Sequence, residues 1–123
     1  VRGVATLAAP ASLEEWAANP GRFLRYAREV GAVKTPGFPS DEVAWTREIA
    51  SVDTIAAAAA LAPRPLLVMH GDEDDVVSVE DARRIADADS TAELRTFHGA
   101  GHRLRHDPRV IATLVGWLAR RLP

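Results

Sequence analysis

Two apolar runs decide most of what this chain can become. Residues 1–9, "VRGVATLAA", and residues 63–71, "PRPLLVMHG", carry small, branched and aliphatic side chains with almost no polar alternation. A strand with one wet face alternates apolar and polar residues, and a strand covered on both faces does not. Both runs therefore read as strands of a parallel sheet. Parallel neighbours need a long crossover between them, usually a helix. A third, weaker strand is expected in "AELRTFHG", residues 92–99.

The intervening segments have helical character. "SLEE" reads as a capping box, with Ser12 at the N-cap and Glu15 three residues on, opening a helix that runs to Ala18. "RFLRYAREV" spaces Phe23, Leu24, Ala27 and Val30 at helical intervals, and Gly31 stops it. Ser40 is expected to cap "DEVAWTREIA", Asp53 to cap "TIAAAAALA", and Ser78 to cap a helix over 79–87. The last helix, "PRVIATLVGWLARRL", opens on proline and closes on arginines, with Val110, Ile111, Leu114, Val115 and Leu118 on one face. Trp117 is expected in the core. The fold class that follows is α/β: a partial parallel sheet of about three strands with flanking helices. Residues 11–62 are too long for one crossover helix and read as an insertion of several helices. They leave 1–10 as a strand and 63–123 as a strand–helix–strand–helix unit.

A length of 123 residues suits one domain. Fifteen basic against seventeen acidic side chains exclude a generally basic surface, so no nucleic-acid partner is expected. Cysteine is absent, which removes disulfides and thiolate metal sites and agrees with the expected cytoplasmic location. No apolar stretch approaches the ~20 residues that span a bilayer, so no membrane partner is expected either. The chain opens on Val1 and enters a strand at once, and it is expected to be the back half of a longer fold.

The chemistry gathers behind the second apolar run. Asp72, Glu73, Asp74 and Asp75 crowd together where that strand should end. Like charges this close repel, so at least one of them needs a partner. In open parallel sheets, ligands collect at the carboxyl ends of the strands. The next strand also ends in a glycine-bracketed turn, "HGAGH", and His102 lies just past it. Neighbouring strand ends bring a carboxylate and an imidazole together. A carboxylate on one ring nitrogen fixes the tautomer and stabilises the imidazolium, leaving the other nitrogen as a general base.

"RPLLVMHGDEDDVVSVEDA" and "FHGAGHRL" resemble the acid and histidine motifs of the α/β-hydrolase superfamily, nearest to its bacterial esterase and serine-peptidase-like members. The acid turn there reads roughly HGxxDxxV, usually followed by proline. His70, Gly71, Asp74 and Val77 match it, and Ser78 stands where the proline would be. The resemblance implies catalytic roles for Asp74 and His102. It also implies a Ser–His–Asp triad that cleaves an ester or amide bond of a small-molecule or peptide substrate, with no cofactor. The nucleophile departs from the pattern, because no G-x-S-x-G elbow occurs. Ser12, Ser40 and Ser78 read as caps, and neither Ser51 nor Ser90 lies in a glycine-bracketed strand-to-helix turn. The resemblance thus covers the second half of the family's fold, puts the elbow upstream of Val1 and implies that these residues alone are inactive. It further implies that the helical insertion is a lid, with Trp16, Phe23, Tyr26 and Trp45 lining a substrate pocket. Packing of the insertion is the plain alternative for those aromatics.

Asp72 and Asp75 are the alternative candidates for the acid, and each otherwise reads as a turn or cap former. His70 reads as packing and turn geometry, His98 as a loop residue, and His106 as exposed beside the last helix. "HRLRH" lacks the further ligand that a zinc motif needs. Two other functions compete. One is a non-catalytic binding module on the same scaffold. The other is a magnesium-dependent phosphoryl-transfer or receiver-type domain. That second rival wants an acidic residue at the end of "VATLAAP" and finds none.

Overall fold

The computed structural model describes residues 1–122. Three strands, β1 (Val4–Leu7), β2 (Leu66–Gly71) and β3 (Glu93–Phe97), form one parallel sheet in the order β1-β2-β3. Six α-helices accompany them: α1 (Glu14–Ala18), α2 (Pro20–Glu29), α3 (Glu42–Ala50), α4 (Thr54–Ala59), α5 (Val79–Asp87) and α6 (Pro108–Ala119). The chain forms two compact units, Ser12–Asp53 and the remainder.

In the sheet-containing unit, every residue of the central strand β2 is buried, as its unbroken apolar run predicts. Side chains alternate across a strand, so β2 supplies two cores. Leu67 and Met69 join Phe97, Leu104, Val110 and Trp117 on one face. Leu66 and Val68 join Ala58, Leu61, Ala82 and Ile85 on the other. The sheet is therefore covered by α6 on one side and by α4 and α5 on the other. Helix α4 lies inside the 11–62 range expected for an insertion, yet its Ala58 packs with the sheet.

Strand β1 is shorter than its apolar run, because Ala8 turns the backbone into the left-handed region at φ 52°. Helix α6 buries a different stripe from the expected one. Val110 and Trp117 are buried and Leu114 packs beside them, whereas Ile111, Val115 and Leu118 are exposed. Trp117 is the largest apolar side chain on this helix, and its indole N–H also donates to Glu93 Oε1 of β3 at 3.1 Å.

In the helical unit, local capping also departs from the pattern. Ser12 Oγ accepts from Glu14 N at 3.1 Å, and Leu13 takes the N-cap position without a side-chain bond, so the capping box does not form. Asp41, not Ser40, caps α3, accepting from Ala44 N at 2.9 Å. A carboxylate there also favours the positive end of the helix dipole. Leu24 and Ala27 of α2 are buried, while Val30 is exposed at its C-cap. Among the described residues, no helix is long and apolar enough to cross a membrane.

Candidate active site

Register determines what meets at the sheet's carboxyl edge. Gly71, the last residue of β2, lies opposite Phe97, the last residue of β3. The residues that follow, Asp72 and His98, are thus brought side by side. The two turns are laced through their backbones: Asp72 N donates to Phe97 O at 3.2 Å and Glu73 N donates to Ala100 O at 3.1 Å. They approach so closely that a β-carbon on Gly71 would lie 2.0 Å from Ala100 O. Only glycine fits there. Gly99 turns the second loop back with φ +74°, a conformation that side chains disfavour.

Asp74 sits in the first of these turns. Its Oδ1 accepts from Val76 N at 2.9 Å and Val77 N at 2.8 Å, the local bonding by which aspartate builds a turn. Its Oδ2 lies 2.9 Å from Nδ1 of His102. The Asp74 side chain is fully buried, and that of His102 is 29% exposed. Burial pushes the Asp74 carboxyl upward. The Val77 N–H, the His102 ring and the Val76 N–H outweigh it and hold the group below its usual value. Asp74 is therefore a carboxylate near neutrality, so Nδ1 of His102 carries a proton and donates. Among the described residues, nothing bonds to Nε2 of His102. The ring presents an unbonded Nε2.

A second pair lies beside the first. Asp72 Oδ2 is 2.9 Å from Nδ1 of His98, and Asp72 Oδ1 accepts from Gly99 N at 2.8 Å. The bond to His98, then that to Gly99, lowers the Asp72 carboxyl, and the same carboxylate raises the His98 ring. Arg109 donates to His98 O at 3.0 Å and pairs with Asp107, whose side chain also accepts from Arg109 N at the start of α6. Both turns and the last helix are joined at this point.

The structure thus brings Asp74 and His102 together, across 28 residues of sequence. Asp75 is exposed, and Ser78 caps α5 through Glu80 N at 3.2 Å. Three of the four aromatics stack together within the helical unit. Trp16 stacks on Phe23 with ring centres 4.9 Å apart, Phe23 on Trp45 at 5.8 Å, and Phe38 meets Trp45 edge-on at 6.0 Å. Tyr26 stays outside this stack and is exposed. Sequence reasoning missed the Asp72–His98 pair, whose signal was that each residue directly follows a strand. It also missed the contacts made by His70, which lies buried one residue before its strand ends and against the acid turn.

Comparison with known proteins bears on the fold and the family. The profile of the prolyl oligopeptidase family matches residues 25–123. The chain is 36% identical over 81 residues to 2-hydroxymuconate semialdehyde hydrolase of Pseudomonas sp. (strain CF600), covering 64% of this chain and 27% of that protein. Among solved structures it resembles the meta-cleavage product hydrolase of Pseudomonas fluorescens IP01, with a TM-score of 0.63 and 20% identity over 98% of this chain and 56% of the other. An esterase from Rhodococcus sp. ECU1013 gives a TM-score of 0.60 and 18% identity, over 99% of this chain and 57% of the other. The chain spans about a quarter of the curated relative and somewhat over half of each solved structure. These neighbours share the α/β-hydrolase fold, of which the three-stranded sheet here is a part. With four-fifths of its length matched by one profile, the chain belongs to the prolyl oligopeptidase family of α/β-hydrolases.

Proposed function

We propose that this chain carries the acid and the base of a serine hydrolase that cleaves an ester or amide bond. The observation that supports it best is the buried Asp74 carboxylate on Nδ1 of His102, with Nε2 unbonded. In this mechanism Nε2 takes the proton of a serine hydroxyl as its oxygen attacks the substrate carbonyl. The imidazolium then returns that proton to the departing alcohol or amine. Asp74 keeps the ring in the productive tautomer and stabilises its positive charge, and it stays ionised throughout. The serine and the oxyanion-hole amides are assigned to sequence outside these residues. Ser12, Ser51 and Ser78 are already engaged in local backbone bonds, and the relatives are longer than this chain. Trp16, Phe23, Tyr26 and Trp45 are assigned to the substrate side, as an apolar surface for an acyl or side-chain group.

An assay with p-nitrophenyl acetate tests this. The complete protein should hydrolyse the ester, and these 123 residues alone should not exceed free imidazole. His102→Ala in the complete protein should lower kcat on the order of 10⁴-fold or more. Activity that survives this change would refute the mechanism. A complete protein without turnover or nucleophile would be the binding module instead.

A further inference from the structure

His70 is a buried ring that the proposed triad does not use. It shares the β2 face of Leu66 and Val68, since side chains alternate along a strand, and it is 0% exposed. Its Nε2 lies 2.9 Å from Val77 O and 3.2 Å from Asp74 Oδ2. Its Nδ1 is buried without a partner among the described residues. Two acceptors converge on Nε2, so that nitrogen carries a proton; a bare lone pair there would face two oxygens, one of them charged. A proton on Nδ1 as well would be a buried N–H with nothing to accept it. The geometry makes Nε2 the nitrogen that donates.

We propose that His70 is a positioning residue for the acid: its Nε2–H clasps the Asp74–Val77 turn shut and holds Asp74 Oδ2 toward His102. This rests on the hydrolase mechanism above. Rotation of the carboxylate is blocked from both ends. Oδ1 is fixed by the N–H groups of Val76 and Val77, and the Val77 peptide is itself fixed because its carbonyl accepts from His70. Oδ2 lies 3.2 Å from the same nitrogen without a hydrogen bond to it and bonds to His102 Nδ1 at 2.9 Å. A ring that only filled space would do none of this.

Packing and positioning make opposite forecasts for two substitutions in the complete protein. His70→Phe preserves an apolar ring and removes the donor, and His70→Gln packs less well but keeps an N–H near the position of Nε2. Positioning predicts that the Gln variant retains kcat within about threefold, while the Phe variant loses about tenfold or more with KM unchanged. A second readout needs no substrate: the downfield proton resonance of His102 Nδ1–H should persist in wild type and Gln and broaden or vanish in Phe. Should the Phe variant fail to fold, His70→Leu replaces it and the same contrast with Gln is read. A donor-less variant with full kcat and an intact resonance would overturn the proposal while leaving the triad standing. A wild-type protein with neither resonance nor turnover would instead remove the Asp74–His102 mechanism, and this proposal with it.

Discussion

The sheet's carboxyl edge holds two histidine–carboxylate pairs of nearly identical contact geometry, and they differ in almost everything else. Asp72 and His98 meet at 2.9 Å, as do Asp74 and His102. The outer pair is open to water: His98 is 92% exposed and Asp72 37%. The inner acid is fully covered and its ring only 29% exposed. Water screens the outer pair and weakens it. The inner carboxylate has exchanged water for fixed donors, the Val76 and Val77 N–H groups and the His102 ring. Register alone creates the outer pair, since its members follow paired strand ends. The inner pair needs both turns to fold back correctly. The same two residue types thus make an exposed latch in one place and a pair with a buried acid a few residues away.

Exchanging substitutions between the pairs sharpens that contrast. Asp74→Asn in the complete protein should reduce kcat on the order of 10⁴-fold, the effect of the analogous change in a serine protease. Asp72→Asn and His98→Ala should leave steady-state ester hydrolysis within about threefold of wild type. Equal losses from both pairs would erase the distinction. Gly71→Ala should damage both pairs together, because the new methyl group collides with Ala100 O at 2.0 Å. Overpacking against rigid backbone is expected to cost about 3 kcal/mol, read as a lower urea midpoint at unchanged m-value.

The smallest effect is on pH dependence. Raised on folding, the His98 contribution is complete below the unfolded value of 6.5 and fades as pH climbs through the folded one. Lowered on folding, the Asp72 contribution is present above 3.8 and disappears as pH falls through the folded value. The outer latch therefore holds best between those limits. Proton NMR should show His98 titrating above 6.5, and falling back toward it in Asp72→Asn.

Much of this edge was legible in the sequence because its signals are local. The unbroken "LLVMHG" run and the glycines around His102 give the strands and turns directly, and matching HGxxDxxV singled out Asp74 among four neighbouring acids. The outer pair was not legible, because it depends on which residue of β2 stands opposite which residue of β3, and register is a property of two strands together. Cap positions slipped by one at Ser12, where Leu13 takes the N-cap without a side-chain bond, and at Ser40, where the Asp41 carboxylate competes for the same N–H groups. Helix α6 shows a third kind of miss. Apolar periodicity pointed to one face, Val110, Ile111, Leu114, Val115 and Leu118, whereas the helix buries Val110 and Trp117, whose indole also bonds to Glu93.

The central claim is that only the inner pair activates a nucleophile. A fluorophosphonate probe tests this without knowledge of the substrate, because it labels a serine only when a neighbouring base has activated it. Labelling rates should be followed by intact mass on the complete protein and on Asp72→Asn, Asp74→Asn and His102→Ala. The account predicts rates for wild type and Asp72→Asn within about threefold, and for Asp74→Asn and His102→Ala at least about a hundredfold slower. Rapid labelling that survives loss of His102, or that falls equally with Asp72 and Asp74, would contradict it.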